Sequence, residues 1–182
     1  MAVSLAETPR ILVLGGARSG KSRHAETLVE ARDERVYIAT AQAGDDEMRA
    51  RIADHQARRG EGWRTVEAPL GLPDAIRAEA APGRAILVDC LTLWLTNLIL
   101  ADRDIAAAEA DLLGAIAMPC PVVLVANEVG LGIVPDTPLG RRFRDAAGRL
   151  NQSVAAAVDA VVFVAAGLPL ILKPSPAQGA LS

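Results

Sequence analysis

Three stretches of the chain carry residue types and spacings that suit chemistry on phosphate. The first is GGARSGKS, residues Gly15, Gly16, Ala17, Arg18, Ser19, Gly20, Lys21 and Ser22, which fits G-x-x-x-x-G-K-S. Glycines let a backbone wrap closely around phosphate oxygens, and successive N–H groups and a helix N-terminus then meet the negative charge. Lys21 is placed to reach the β- and γ-phosphates, and Ser22 to hold Mg²⁺. Arg18 is either a phosphate or substrate ligand or a solvated arginine. The second stretch ends on Asp89, the last residue of the apolar run AILVD. A carboxylate at the C-terminal end of a hydrophobic strand supports Mg²⁺ directly or through water. It can also cap a following helix, and the two roles are compatible.

The third stretch is DDEMRARIADHQARRGEGW, Asp45 to Trp63. The chain has two histidines, and His55 lies four residues after Arg51 and four before Arg59, with Arg58 three residues on. On a helix these four share a face. Three guanidinium groups would keep an imidazole neutral, and the same groups would bind the phosphate that a neutral nitrogen attacks. Histidine is an established covalent carrier of phosphorus. The competing reading is a solvated basic helix that happens to hold a histidine. The other histidine, His24, falls inside the helix after the phosphate loop and is taken as a packing or surface residue. Arg141, Arg142 and Arg144 open a later helix, as phosphate ligands or as a solvated face. The segment NEVGLGIVP, Asn127 to Pro135, is a shaped loop after a buried strand, where α/β sites lie; it either contacts substrate or nucleotide or packs between subunits.

The elements that must position these residues follow from hydrophobic patterning. RILVL, VYIAT, WRTVEAP, AILVDC and VVLVAN are short strands, mostly apolar throughout. Between and after them lie helical patterns in SRHAETLVEARD, in the Asp45 stretch, in LPDAIRAEAA, in a pair from Leu91 to Met118 broken near Ala101, and in PLGRRFRDAAGRLNQSVAAAV. AVVFVAAGLPLILK closes the chain as one or two strands. This alternation predicts an α/β fold, three layers with a mostly parallel central sheet of the P-loop NTPase type. Residues 10–173 form one nucleotide-binding domain in this reading, with 1–9 and 174–182 as disordered ends.

Of 182 residues, 51% are hydrophobic and 3% aromatic, so the core is aliphatic and large enough for one domain. A formal charge of −3 gives no support for a nucleic-acid surface. No stretch is long enough to insert in a membrane, and no signal peptide is visible. Cys90 and Cys120 lie in or beside apolar runs without metal spacing, as reduced core thiols of a cytoplasmic protein.

Taken together, GGARSGKSRHAE, YIATAQAGDDEMRARIADHQARR, WRTVEAP, DCLTLWLTNL and NEVGLGIVPDTPLGRRFRDAAGRLNQ resemble the bifunctional adenosylcobinamide kinase / adenosylcobinamide-phosphate guanylyltransferase family of cobalamin biosynthesis. The resemblance runs from about Arg10 to Lys173. It implies phosphorylation of adenosylcobinamide by ATP or GTP, then transfer of GMP from GTP to adenosylcobinamide phosphate. It makes His55 the residue that carries GMP. It maps guanine-nucleotide contacts onto Gly15 to Ser22, onto Ala39, Thr40 and Ala41, onto Gln56, Ala57, Arg58 and Arg59, onto Glu67, and onto Asp89. It also implies a trimer. The family's usual RP after the histidine block is RRGEG here. Two other functions fit the phosphate loop alone: a nucleotide-dependent switch without covalent chemistry, and a small-molecule kinase without nucleotidyl transfer.

Overall fold

A computed structural model describes residues 9–41 and 62–174. The expected helix in the Asp45 stretch, with Arg51, His55, Gln56, Ala57, Arg58 and Arg59, lies outside these residues, as do the two ends of the chain.

Seven strands form one sheet: β1 (Arg10–Gly15), β2 (Glu34–Ala39), β3 (Trp63–Glu67), β4 (Arg84–Asp89), β5 (Val122–Asn127), β6 (Ala160–Ala165) and β7 (Leu168–Lys173). Their order across the sheet is β3-β2-β4-β5-β1-β6-β7. All neighbours are parallel except β6 and β7. The central strands are buried on both faces, which is why β1, β4 and β5 are continuous apolar runs rather than alternating ones.

Strand parity divides the core in two. Leu12, Leu14, Val36, Ile38, Ile86, Val88 and Leu124 face helices α2 (Leu72–Glu79), α3 (Leu91–Leu100), α4 (Ile105–Ile116) and α5 (Pro138–Ala157). Ile11, Val13, Tyr37, Leu87, Val123, Val125 and Val162 face the other way, toward α1 (Lys21–Val29). Helices on both faces of the sheet make the three layers the sequence predicts. Trp94 of α3 is the largest fully buried side chain, and its indole N–H donates to Leu70 O at 3.0 Å, so its polar atom costs nothing on burial.

Local departures from the expected elements have plain causes. The first helix was expected over Ser22–Asp33, but α1 ends at Val29. Strand β2 pairs with β4 from Glu34, in register with Arg84, and the intervening residues form the turn, with Arg32 N–H on Val29 O at 3.1 Å. The break near Ala101 separates α3 from α4, where the Asp104 carboxylate caps α4 by accepting from Ala107 N–H at 3.1 Å. The closing segment is two strands joined at Ala166 and Gly167, with φ of 52° and 79°, the paired positive values of a tight hairpin turn. Helix α5 has no basic residue in its last turn. Lys173 of β7 supplies the charge instead, its ammonium donating to the carbonyls of Ala155, Ala156 and Val158.

Candidate active site

Six parallel strands bring their C-terminal ends to one edge of the sheet. The register sets Gly15 beside Asn127, and Ala39 beside both Glu67 and Asp89. A parallel α/β sheet binds its ligands at this edge, because the loops and helix N-termini gather there.

The loop after β1 is built for close backbone approach. A Cβ on Gly15 would lie 2.5 Å from both Ser19 Oγ and Val164 O, so only glycine fits beside β6. Arg18 and Gly20 take left-handed conformations, with φ of 55° and 95°, and these turn the loop into α1. Three backbone bonds hold the loop: Ser19 N–H to Gly16 O at 3.3 Å, Gly167 N–H to Ser19 O at 2.8 Å, and Glu128 N–H to Gly15 O at 3.1 Å. No side chain caps α1 at Gly20, and its first turn carries no acid. Its leading amides therefore keep their partial positive charge for an anion. The Lys21 side chain is buried, and its ammonium donates to Gly16 O at 3.1 Å, which folds the charge over the loop.

Asp89 ends β4 on the same face of the sheet as α1. The Tyr37 hydroxyl donates to its Oδ2 at 3.2 Å. The next residue, Cys90, follows through a cis peptide and is held by Thr40. The fully buried Thr40 hydroxyl accepts from Cys90 N–H at 2.8 Å and donates to Cys90 O at 2.7 Å. Thr40 N–H donates to Asp89 O at 3.2 Å. Asn97 of α3 completes the tie, its amide donating to Thr40 O at 2.8 Å and Pro69 O at 2.9 Å. The ends of β2 and β4 and the loop after β3 are thus joined without using the Asp89 carboxylate. Burial, then the nearby Asp89 charge, pushes the Cys90 thiol up to about 11, so this cysteine is a protonated packing group. On the other side of Asp89, Asn127 N–H donates to the Thr92 hydroxyl at 2.7 Å, and Asn127 O accepts from the Asn151 amide at 3.3 Å.

Comparison with known proteins adds what geometry alone does not. Residues 11–172 match the family described as cobinamide kinase / cobinamide phosphate guanyltransferase. The chain is 54% identical over 171 residues to the bifunctional adenosylcobalamin biosynthesis protein CobP of Pseudomonas aeruginosa, covering 92% of this chain and 99% of that relative. It is 48% identical to the CobU protein of Salmonella typhimurium and 46% identical to that of Escherichia coli K12, each over 90% of this chain and 99% of the relative. The chain belongs to the cobinamide kinase / cobinamide phosphate guanyltransferase family. It is a bifunctional transferase of cobalamin biosynthesis. Solved structures show the fold at far lower identity. A type III secretion system ATPase superposes with a TM-score of 0.60 at 11% identity, over 96% of this chain and 58% of that one. The P4 protein of bacteriophage phi6 in complex with ADP gives 0.51 at 14%, over 97% of this chain and 62% of that one.

In this cobinamide kinase and guanyltransferase, Gly15 to Ser22, Ala39 to Ala41, Glu67 and Asp89 share one sheet edge. The expected carrier His55 and the contacts Arg51, Gln56, Ala57, Arg58 and Arg59 lie outside the described residues. Arg18 is exposed within the loop and Glu67 is exposed at the end of β3. His24 packs against the molecule, with Nε2 buried and without a hydrogen-bond partner, and burial pulls its imidazole below the ordinary histidine range. Of the α5 arginines, Arg141 donates to the carbonyls of Pro135 and Asp136 at 3.0 and 2.8 Å, closing the Asn127–Pro135 loop onto the helix. Arg144 lies 3.6 Å from Asp145, and Arg142 is exposed. Both cysteines are free and buried.

Sequence reasoning missed Tyr37, Thr92, Asn97 and Asn151 as parts of the site's frame. The one available signal was a phenol inside an otherwise apolar strand, since a buried tyrosine needs a partner for its hydroxyl.

Proposed function

We propose that this family member phosphorylates the aminopropanol hydroxyl of adenosylcobinamide with ATP or GTP. It then transfers GMP from GTP to the new phosphate through a guanylylated His55, giving adenosylcobinamide-GDP and pyrophosphate. One observation carries the reading. The Lys21 loop, Ala39 to Ala41 and Asp89 converge at a single sheet edge.

In the kinase step the substrate hydroxyl oxygen attacks the γ-phosphorus, the bond to the bridging oxygen breaks, and the hydroxyl proton passes to solvent. The loop amides from Gly15 to Ser22 and the Lys21 ammonium bind the phosphate oxygens and offset the charge that spreads over them. In the transfer step a neutral nitrogen of His55 attacks the α-phosphorus of GTP and pyrophosphate departs. An oxygen of the cobinamide phosphate then attacks that phosphorus, and the P–N bond breaks. Arg51, Arg58 and Arg59 bind the phosphoryl oxygens and keep the imidazole neutral. Ala39 to Ala41, Gln56, Ala57 and Glu67 are the remaining nucleotide contacts of this reading. The enclosed Nε2 of His24 supports giving the carrier role to His55.

The donor set fits Mg²⁺. Ser22 and Asp89 offer hard oxygens, and among the described residues no group of three or more His, Cys, Asp or Glu side chains forms an all-protein cage. Mg²⁺ keeps water and phosphate oxygens in its shell and suits such a sparse site. When bound, it supplies charge neutralisation on the phosphates.

A homotrimer and a cytoplasmic location complete the proposal. Leu168, Leu170 and Leu172 are exposed along the edge strand β7, a surface that favours burial against another copy. Among the described residues no helix is long and apolar enough to cross a membrane. The net charge of −3 gives no support for a nucleic-acid partner.

Incubation with α-labelled and with γ-labelled GTP tests the proposal. The α-label is expected to stay on the denatured protein and the γ-label to be lost. Absence of covalent α-label under conditions that support nucleotide binding refutes the guanylyl-enzyme. A protein that still phosphorylates cobinamide under those conditions would be a kinase only.

A further inference from the structure

Tyr37 sits in β2 with its ring almost fully enclosed and its hydroxyl 3.2 Å from Asp89 Oδ2. The geometry is set by the sheet. Tyr37 pairs with Leu87, and Asp89 lies two residues further along β4 on the same face, a diagonal cross-strand distance that a long aromatic side chain spans. Trp63 of β3 meets the Tyr37 ring edge-on, with centroids 6.4 Å apart and planes at 76°, and the Arg35 guanidinium lies 5.5 Å from the Trp63 ring centroid. The ring is clamped from the side, so the hydroxyl has little freedom.

We infer that Tyr37 is a positioning residue for the nucleotide-bound metal, acting through Asp89. Its O–H holds Oδ2 and so fixes the torsion of the carboxylate. Outer groups that orient a metal's ligands govern its affinity nearly as much as the ligands do. The bond is long for a charged acceptor, whose usual O–H···O distance is about 2.5–2.7 Å. Its effect is therefore orientation more than stabilisation of charge, and a moderate change is expected on its loss.

The inference rests on Asp89 acting on the metal side, and the test separates the two. Nucleotide binding is measured by calorimetry with ADP across a Mg²⁺ titration, for wild type, Tyr37→Phe, Asp89→Ala and the double variant. Phe keeps the ring and its contact with Trp63, so folding is preserved. Tyr37→Phe is expected to raise the Mg²⁺ concentration for half-maximal tightening about threefold to tenfold, the range for one lost hydrogen bond. Binding without Mg²⁺ is expected to stay within about twofold of wild type. In the Asp89→Ala background the same change is expected to add nothing, because its target is gone.

A second readout is independent of turnover. Tyr37 is the chain's one tyrosine. Isotope labelling at Cζ therefore gives a single resonance, which is expected to move in Asp89→Ala and again when Mg²⁺ and ADP bind together. If Asp89→Ala leaves the Mg²⁺ titration unchanged, the metal-side reading of Asp89 fails. If Asp89→Ala shifts it while Tyr37→Phe overlays wild type, or if the two changes are additive, the role of Tyr37 is overturned and Asp89 stands.

Discussion

Thr40→Val tests the frame that holds Asp89 at the sheet edge. Valine matches threonine in shape, so the substitution opens no cavity at this fully buried position. It removes both hydrogen bonds to Cys90, of 2.8 and 2.7 Å. The two losses are unequal. Cys90 O keeps a helical partner, Trp94 N–H at 3.1 Å, so it forfeits one bond of net worth about 1 kcal/mol. Cys90 N–H is left in the interior without its acceptor, a loss of about 1–3 kcal/mol. Together the expected destabilisation is about 2–4 kcal/mol. For a chain of this size that corresponds to a fall in Tm of about 5–15 °C. Thr40→Ser keeps the hydroxyl, removes a methyl group, and is expected to cost less than the valine variant. Thermal and urea unfolding of both variants measure the difference, and Mg²⁺-dependent nucleotide binding is expected to weaken in the valine variant as the Asp89–Cys90 turn loosens. A valine variant that melts within about 2 °C of wild type, or above the serine variant, refutes the reasoning.

Lys21→Ala is expected to weaken nucleotide binding in both half-reactions by about tenfold to a hundredfold, since one charge-assisted contact is worth about 1.5–3 kcal/mol; an unchanged KM for nucleotide in either reaction contradicts a shared loop. Asp159 takes two bonds from the Arg10 side chain, at 2.9 and 2.8 Å, and these hold its carboxyl below the usual carboxylate range. A depressed carboxylate stabilises the fold above its unfolded value of about 3.9, and that stability is lost as pH falls through the folded value. Asp159→Asn is therefore expected to flatten the acid limb of stability below about pH 4, and parallel denaturation curves for the two proteins would count against the pair. Cys90 and Cys120 are buried with thiols raised chiefly by desolvation, so native protein at about pH 8 is expected to resist alkylation until it unfolds; rapid labelling of folded protein contradicts this.

The phosphate loop was legible in the sequence because its chemistry is local: glycines, lysine and serine are contiguous from Gly15 to Ser22 and flanked by a strand and a helix. Asp89 was legible for the same reason, as the acid ending an apolar run. The layers followed from the alternation of strands and helices. The order of the strands did not, because β5 lies between β4 and β1, and nothing in the chain's pattern encodes that insertion. The frame behind the site was hidden by sequence distance. Thr40 meets Cys90 fifty residues away, and Asn97 reaches Thr40 from 57 residues away. Each of these residues is ordinary where it stands in the sequence, and only the sheet register makes them partners. Lys173 shows the same limit, since it caps a helix that ends before β6 and β7 begin.

The most direct measurement is covalent labelling of His55→Ala by α-labelled GTP, on folded protein with nucleotide binding verified. A P–N bond is acid-labile and stable in alkali, unlike a serine or threonine ester, so the wild-type label identifies its own linkage. The variant is expected to carry no label and to transfer no GMP, while phosphorylation of adenosylcobinamide from ATP persists in part, because that step passes the phosphoryl group straight to the substrate hydroxyl. Acid-labile GMP accumulating on His55→Ala at the wild-type level would place the carrier elsewhere and contradict the proposed mechanism.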